Sequence, residues 1–209
     1  MIAPVLSYSM GSNCFLVAGR SRAVLIDSGI DPEPVFRQIS ELKITLDSLI
    51  NTHAHYDHVK ANPMVVEKTG CDVFIHELDA APLLDGDNSY LLGGLFGDPL
   101  GPLEVDRKLR NGEVLDLGGS SIEIIHTPGH TRGSICLYCK GEKALFTGDA
   151  VFADGVGRTD LPGGSFQDLK NSLEVLIQFT EENEVEKIFP GHGPIGEVGD
   201  IDKNYNLYF

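Results

Sequence analysis

Short apolar runs that end in polar or glycine positions recur along the chain, with stretches of helical periodicity between them. Residues 13–18 and 23–26 are such runs, and they flank Gly19-Arg20-Ser21-Arg22, which predicts a hairpin. Val35, Phe36, Ile39 and Leu42 then follow a helical period, predicting an amphipathic helix over 34–42. The apolar run over 46–52 reads as a buried strand that ends in Asn51 and Thr52. Asn62-Pro63 predicts a helix start with Asn62 as the cap, Gly70 its stop, and 73–75 the next strand. Between 84 and 103, glycines and prolines interrupt Tyr90, Leu91, Leu92, Leu95 and Phe96. That mixture predicts a long, flexible, apolar loop, acting as a lid or as a subunit contact. Strands return over 114–117 and 121–125, and 135–138 pairs with 144–146 as a second hairpin. Leu169, Leu173, Leu176 and Ile177 share one face of a helix over 167–181, and 187–190 is a further strand. The sum is an α/β chain in which helices cover two sheets.

Candidate chemistry gathers where these strands stop. The hexapeptide His53-Ala54-His55-Tyr56-Asp57-His58 follows the strand ending at Thr52. In extended backbone, residues two apart point the same way, so His53 and His55 present their imidazoles to one point. Three imidazoles and a carboxylate so close together are ligands for zinc, iron or manganese. His130 stands on a Pro-Gly turn past the strand over 121–125, Asp149 follows the strand over 144–146, and His192 sits between Gly191 and Gly193. With all these strand ends on one edge, the seven side chains meet in one cleft. Asp27 ends another strand and reads either as support for a ligand's free nitrogen or as a turn aspartate. His76, also at a strand end, reads as a packed or surface histidine.

Composition narrows the partners. The 209 residues and 42% apolar content suit one domain over 1–209. A net charge of -15 argues against nucleic acid or an anionic membrane as partner. Residues 1–6 lack a basic region and a long apolar core, so a cytoplasmic location is expected. Cys14, Cys71, Cys136 and Cys139 are too scattered for a disulfide framework. Cys136 and Cys139 lie three apart on one strand, which turns them to opposite faces.

The segments Thr52-His53-Ala54-His55-Tyr56-Asp57-His58, Thr127-Pro128-Gly129-His130-Thr131, Thr147-Gly148-Asp149 and Pro190-Gly191-His192-Gly193 resemble, in order, the metal motifs of the metallo-β-lactamase superfamily. This resemblance covers nearly the whole chain. Val156-Gly157-Arg158-Thr159-Asp160 and Leu161-Pro162-Gly163-Gly164-Ser165 resemble its glyoxalase II and persulfide dioxygenase branch. What the resemblance implies is an αβ/βα four-layer sandwich holding two divalent metal ions per chain, zinc first, with iron or manganese as alternatives. His53, His55 and His130 would hold one ion, Asp57, His58 and His192 the other, and Asp149 would bridge them. His55 stands where the flavodiiron branch has a carboxylate, which argues against that branch.

The activity so implied is hydrolysis of a hydroxyacyl thioester such as S-lactoylglutathione, a small-molecule substrate, by a metal-bound hydroxide. Asp57 would be the catalytic carboxylate, orienting that hydroxide or passing on its proton. Arg158, with Asp160, would pin a loop; its other reading is contact with an anionic substrate. The rival functions are a mononuclear-iron persulfide dioxygenase, with the iron on His53, His130 and Asp149, a lactonase-type hydrolase, and a non-catalytic metal-binding module. The chain ends at Phe209, too soon after His192 for the helical C-terminal region of full-length glyoxalase II. Either the 84–103 stretch or the aromatic tail over 205–209 would then complete a substrate pocket. The tail reads equally as packing or as a contact in a homo-oligomer.

Overall fold

The computed structural model describes residues 1–7 and 10–209. Its first half builds a six-stranded sheet from β1 (Ile2–Val5), β2 (Cys14–Ala18), β3 (Ala23–Ile26), β4 (Ser48–Asn51), β5 (Asp72–His76) and β6 (Arg107–Leu109), adjacent in chain order. Here β1 to β3 pair antiparallel and β3 to β6 parallel. The second half supplies β7 (Val114–Asp116), β8 (Ser121–His126), β9 (Ile135–Cys139), β10 (Ala144–Gly148), the small hairpin β11 (Val151–Phe152) and β12 (Gly155–Val156), then β13 (Lys187–Pro190) and β14 (Gly196–Glu197). Its six-stranded sheet has the order β14-β13-β10-β9-β8-β7, with β10 and β13 parallel. The helices are α1 (Glu33–Leu42), α2 (Tyr56–Val59), α3 (Asn62–Thr69), α4 (Glu77–Asp85), α5 (Asn88–Leu91), α6 (Phe166–Glu182) and α7 (Gly199–Tyr208).

Strand alternation assigns each side chain to a layer. On β2 and β3, Phe15, Val17, Val24 and Ile26 enter the gap between the sheets, where Ile124, Leu137 and Phe146 meet them. Cys14, Leu16 and Leu25 point the other way, onto Val35 of α1 and Val65 of α3. On the second sheet, Cys136, Tyr138 and Leu145 meet Leu169, Leu173 and Leu176 of α6 and Ile201 of α7. Both faces of both sheets are thus buried, which is why the strands read as continuous apolar runs. The result is the αβ/βα four-layer sandwich. Cys136 and Cys139 fall in different layers, and all four cysteines are free and buried. No helix among the described residues is long and apolar enough to cross a membrane.

Two expectations are corrected. Asn62 does not cap α3; Ala61 holds that position. The Asn62 side chain is instead buried, accepting from Ser28 Oγ at 2.7 Å and donating to Asn51 Oδ1 at 2.7 Å. An amide with buried partners gains more from them than from an exposed first turn. Nor is 84–103 a flexible loop: α4 reaches into it, Asp87 caps α5, and Gly93–Phe96 forms a 3-10 turn. Asn88 closes the segment on itself, donating to the Gly86 and Leu100 carbonyls and accepting from Leu100 N–H. Leu91, Leu100 and Leu103 pack onto Ala54, Val59 and Ile75 beneath the hexapeptide. In the aromatic tail, Tyr205 and Phe209 pack on the α6 cluster, with the Phe209 ring 4.8 Å from Phe166, while Leu207 and Tyr208 are exposed.

Candidate metal centre

Loops at the ends of strands from both sheets converge on one edge of the sandwich. β4 delivers His53 and His55, and the chain then turns into α2, which carries Asp57 and His58. His130 follows β8, Asp149 follows β10 directly, and His192 follows β13. Three groups form there: His53, His55 and His130; His53, His58 and Asp149; Asp57, His58 and His192. Within each group the ligand-type atoms lie within 4.8 Å of one another. Every metal-type residue expected from the sequence is therefore in the cluster. Close approach dictates the glycines: a Cβ on Gly191 would run into Asp149 Oδ1 and the His58 ring, and one on Gly157 into the Asp149 carbonyl.

Outer partners fix which nitrogen of each ring faces inward. His58 Nδ1 is 2.8 Å from Asp27 Oδ2, and His130 Nδ1 is 2.8 Å from the Arg158 carbonyl. Both are donor contacts that turn each Nε2 toward the cluster, where the neutral ring offers a lone pair. Thr52 Oγ1 donates to Asp27 Oδ2 at 2.8 Å and so receives the Nδ1–H of His53, 3.2 Å away. Inside, His55 Nδ1 lies 2.8 Å from His130 Nε2, and His58 Nε2 lies 3.3 Å from His192 Nε2. His53 Nε2, His55 Nε2 and Asp149 Oδ1 are buried without a hydrogen-bond partner. Buried polar atoms without partners are costly, and a cation satisfies them.

Electrostatics point the same way. Burial, then the neighbouring imidazoles, lowers His53 well below 6.5 and His55 to about 3, so both stay neutral and able to ligate. Burial also opposes ionisation of Asp149 and Asp57, but His58 outweighs it and both stay carboxylates.

Around this cluster, Asp27 supports it by accepting from Thr52 N–H at 2.8 Å as well as from Thr52 Oγ1 and His58. Its backbone adopts a left-handed φ of 54° to do so. Arg158 and Asp160 form a bidentate pair at 2.9 Å, largely exposed, and it is the Arg158 carbonyl that touches the cluster. Two supporting residues escape sequence reasoning. Asn13 donates to the Pro190 and Gly193 carbonyls on either side of His192. Asp79 is fully buried and accepts from the loops that carry His53, His55 and His130.

Two sheets packed inside two helical layers, with a His/Asp cluster at their common edge, define an αβ/βα metal-binding scaffold. The chain belongs to the metallo-β-lactamase superfamily, whose family model matches residues 9–192. A probable metallo-hydrolase of Methanocaldococcus jannaschii is 36% identical over 200 residues, covering 94% of this chain and 95% of that protein. A hydroxyacylglutathione hydrolase of Haemophilus influenzae is 32% identical over 210 residues, covering 95% and 92%. Among solved structures, one of a protein in a di-iron-bound form is 33% identical, with a TM-score of 0.82 over 97% of this chain and 98% of that one.

Proposed function

We propose that the protein is a binuclear metallohydrolase that cleaves hydroxyacyl thioesters such as S-lactoylglutathione. One observation carries the binuclear reading: Asp149 stands between the two halves of the cluster, with Oδ1 3.3 Å from His58 Nε2 and Oδ2 3.5 Å from His130 Nε2. His53, His55 and His130 would then hold one ion and Asp57, His58 and His192 the other, with zinc favoured and iron or manganese as alternatives. When bound, the ions lower the pKa of water from 15.7 to about 7 and polarise the substrate carbonyl. Asp57 Oδ2, 3.0 Å from His192 Nε2, is the carboxylate that orients the attacking water and takes its proton. A thiolate leaves with less protonation than an amine, which suits a cluster without a further acid. Arg158 holds the His130 ring through its carbonyl while its guanidinium stays with Asp160, so it positions a loop and leaves the substrate to other groups. The hydroxyacylglutathione hydrolase relative supports the substrate class.

The test is hydrolysis of S-D-lactoylglutathione by protein reconstituted separately with zinc, manganese and iron, with metal content measured and Asp149→Ala as control. Two metals per chain and turnover lost in the variant are expected. One iron per chain with oxygen uptake on a persulfide would replace the reading with a dioxygenase. Turnover of lactones or β-lactams alone would change the substrate class.

A further inference from the structure

We propose that Asp79 is a positioning residue for one half of the metal centre, tying the loop of His53 and His55 to the loop of His130. The inference rests on the metal-centre reading above. Asp79 lies in the first turn of α4 and is 0% exposed. Oδ2 accepts from Ala54 N–H at 3.0 Å and from Thr131 Oγ1 at 2.8 Å; Oδ1 accepts from Gly133 N–H at 2.8 Å and from Tyr90 OH at 2.8 Å. Ala54 stands between His53 and His55, and Thr131 follows His130. One carboxylate thus holds backbone and side chain next to three ligand positions that come from different sheets.

The chemistry of Asp79 is hard to explain as packing alone. Its partners are neutral donors, and burial raises its pKa even though all four bonds pull it down. Four donors from three separate segments converge on this one carboxylate, and its removal would leave them buried without an acceptor. The surrounding loop is built to its shape: a Cβ on Gly133 would collide with the Asp79 carboxylate. Asp27 reaches both halves, His58 directly and His53 through Thr52. Asp79 backs the His53, His55 and His130 half alone.

Cobalt(II) titration followed by visible absorption tests this, together with thermal unfolding of the metal-free protein. In wild type both halves fill. In Asp79→Asn the amide turns a donor toward donors, and one of the two equivalents is expected to bind about 10- to 100-fold more weakly, with a changed d–d spectrum. The other equivalent is expected to stay within about threefold of wild type. Tyr90→Phe removes one donor and keeps the carboxylate, so about a two- to fivefold loss at the same equivalent is expected. Equal weakening of both equivalents, in step with a lower unfolding midpoint, would make Asp79 a fold residue and overturn the proposal. If Asp79→Asn does not fold, Tyr90→Phe decides: a wild-type spectrum and affinity overturn the proposal. A wild-type protein that takes up no cobalt overturns the metal-centre reading and the Asp79 proposal with it.

Discussion

Burial opposes a charge on His58, but Asp27, Asp149 and Asp57 raise its pKa well above the ordinary 6.5. In the metal-free protein this proton holds three carboxylates together. Its contribution to stability is fully present below the unfolded pKa and is lost as pH rises through the raised value. A cation replaces that proton, so the loaded protein does not share the loss. The gap in thermal midpoint between zinc-loaded and metal-free protein is therefore expected to widen from about pH 6 to about pH 9. A constant or shrinking gap would mean that His58 gives up no proton to the metal. Legibility at this scale follows chemistry. His53, His55, Asp57 and His58 could be picked out because they crowd one hexapeptide just past a strand, and His130, Asp149 and His192 because each follows a glycine at or just past a strand end. Asp79 could not, because a carboxylate in Glu77-Leu78-Asp79 looks like any solvated acid at a helix start.

Among the elements, those with both faces buried were the easiest to read, since β2, β3 and β9 are apolar throughout and β10 is apolar up to Phe146. α4, α5 and the 3-10 turn were missed because glycines and prolines break their periodicity, while the Asp87 cap and the Asn88 bridges that hold them act over distances a window does not see. The consequence is measurable. Leu91 is 0% exposed and Leu95 72% exposed, so Leu91→Ala is expected to lower stability by about 2–5 kcal/mol and Leu95→Ala by less than about 0.5 kcal/mol in urea unfolding. Similar small losses at both positions would restore the loop reading. The segment also reaches the centre: Phe96 stacks on Tyr56 at 4.5 Å, and Asp98 accepts from Tyr56 OH at 2.8 Å, next to Asp57.

For the whole molecule, the sequence order of strands and helices was enough to expect two covered sheets, but not how the sheets divide the chain. They divide it cleanly. Every strand up to β6 belongs to the first sheet and every strand of the second sheet comes after it, so the chain crosses once, through exposed residues 110–112. The metal cluster divides at the same place, with His53, His55, Asp57 and His58 before the crossing and His130, Asp149 and His192 after it. Neither part owns a complete coordination sphere. The molecule is in this sense a natural two-piece sensor: co-expressed fragments 1–111 and 112–209 are expected to recover zinc uptake only as a pair, and chelation is expected to loosen their association in size-exclusion chromatography. Uptake by either fragment alone would refute this. Complementation of that kind would turn reassembly of the sandwich into a metal-gated event that can be read without any substrate.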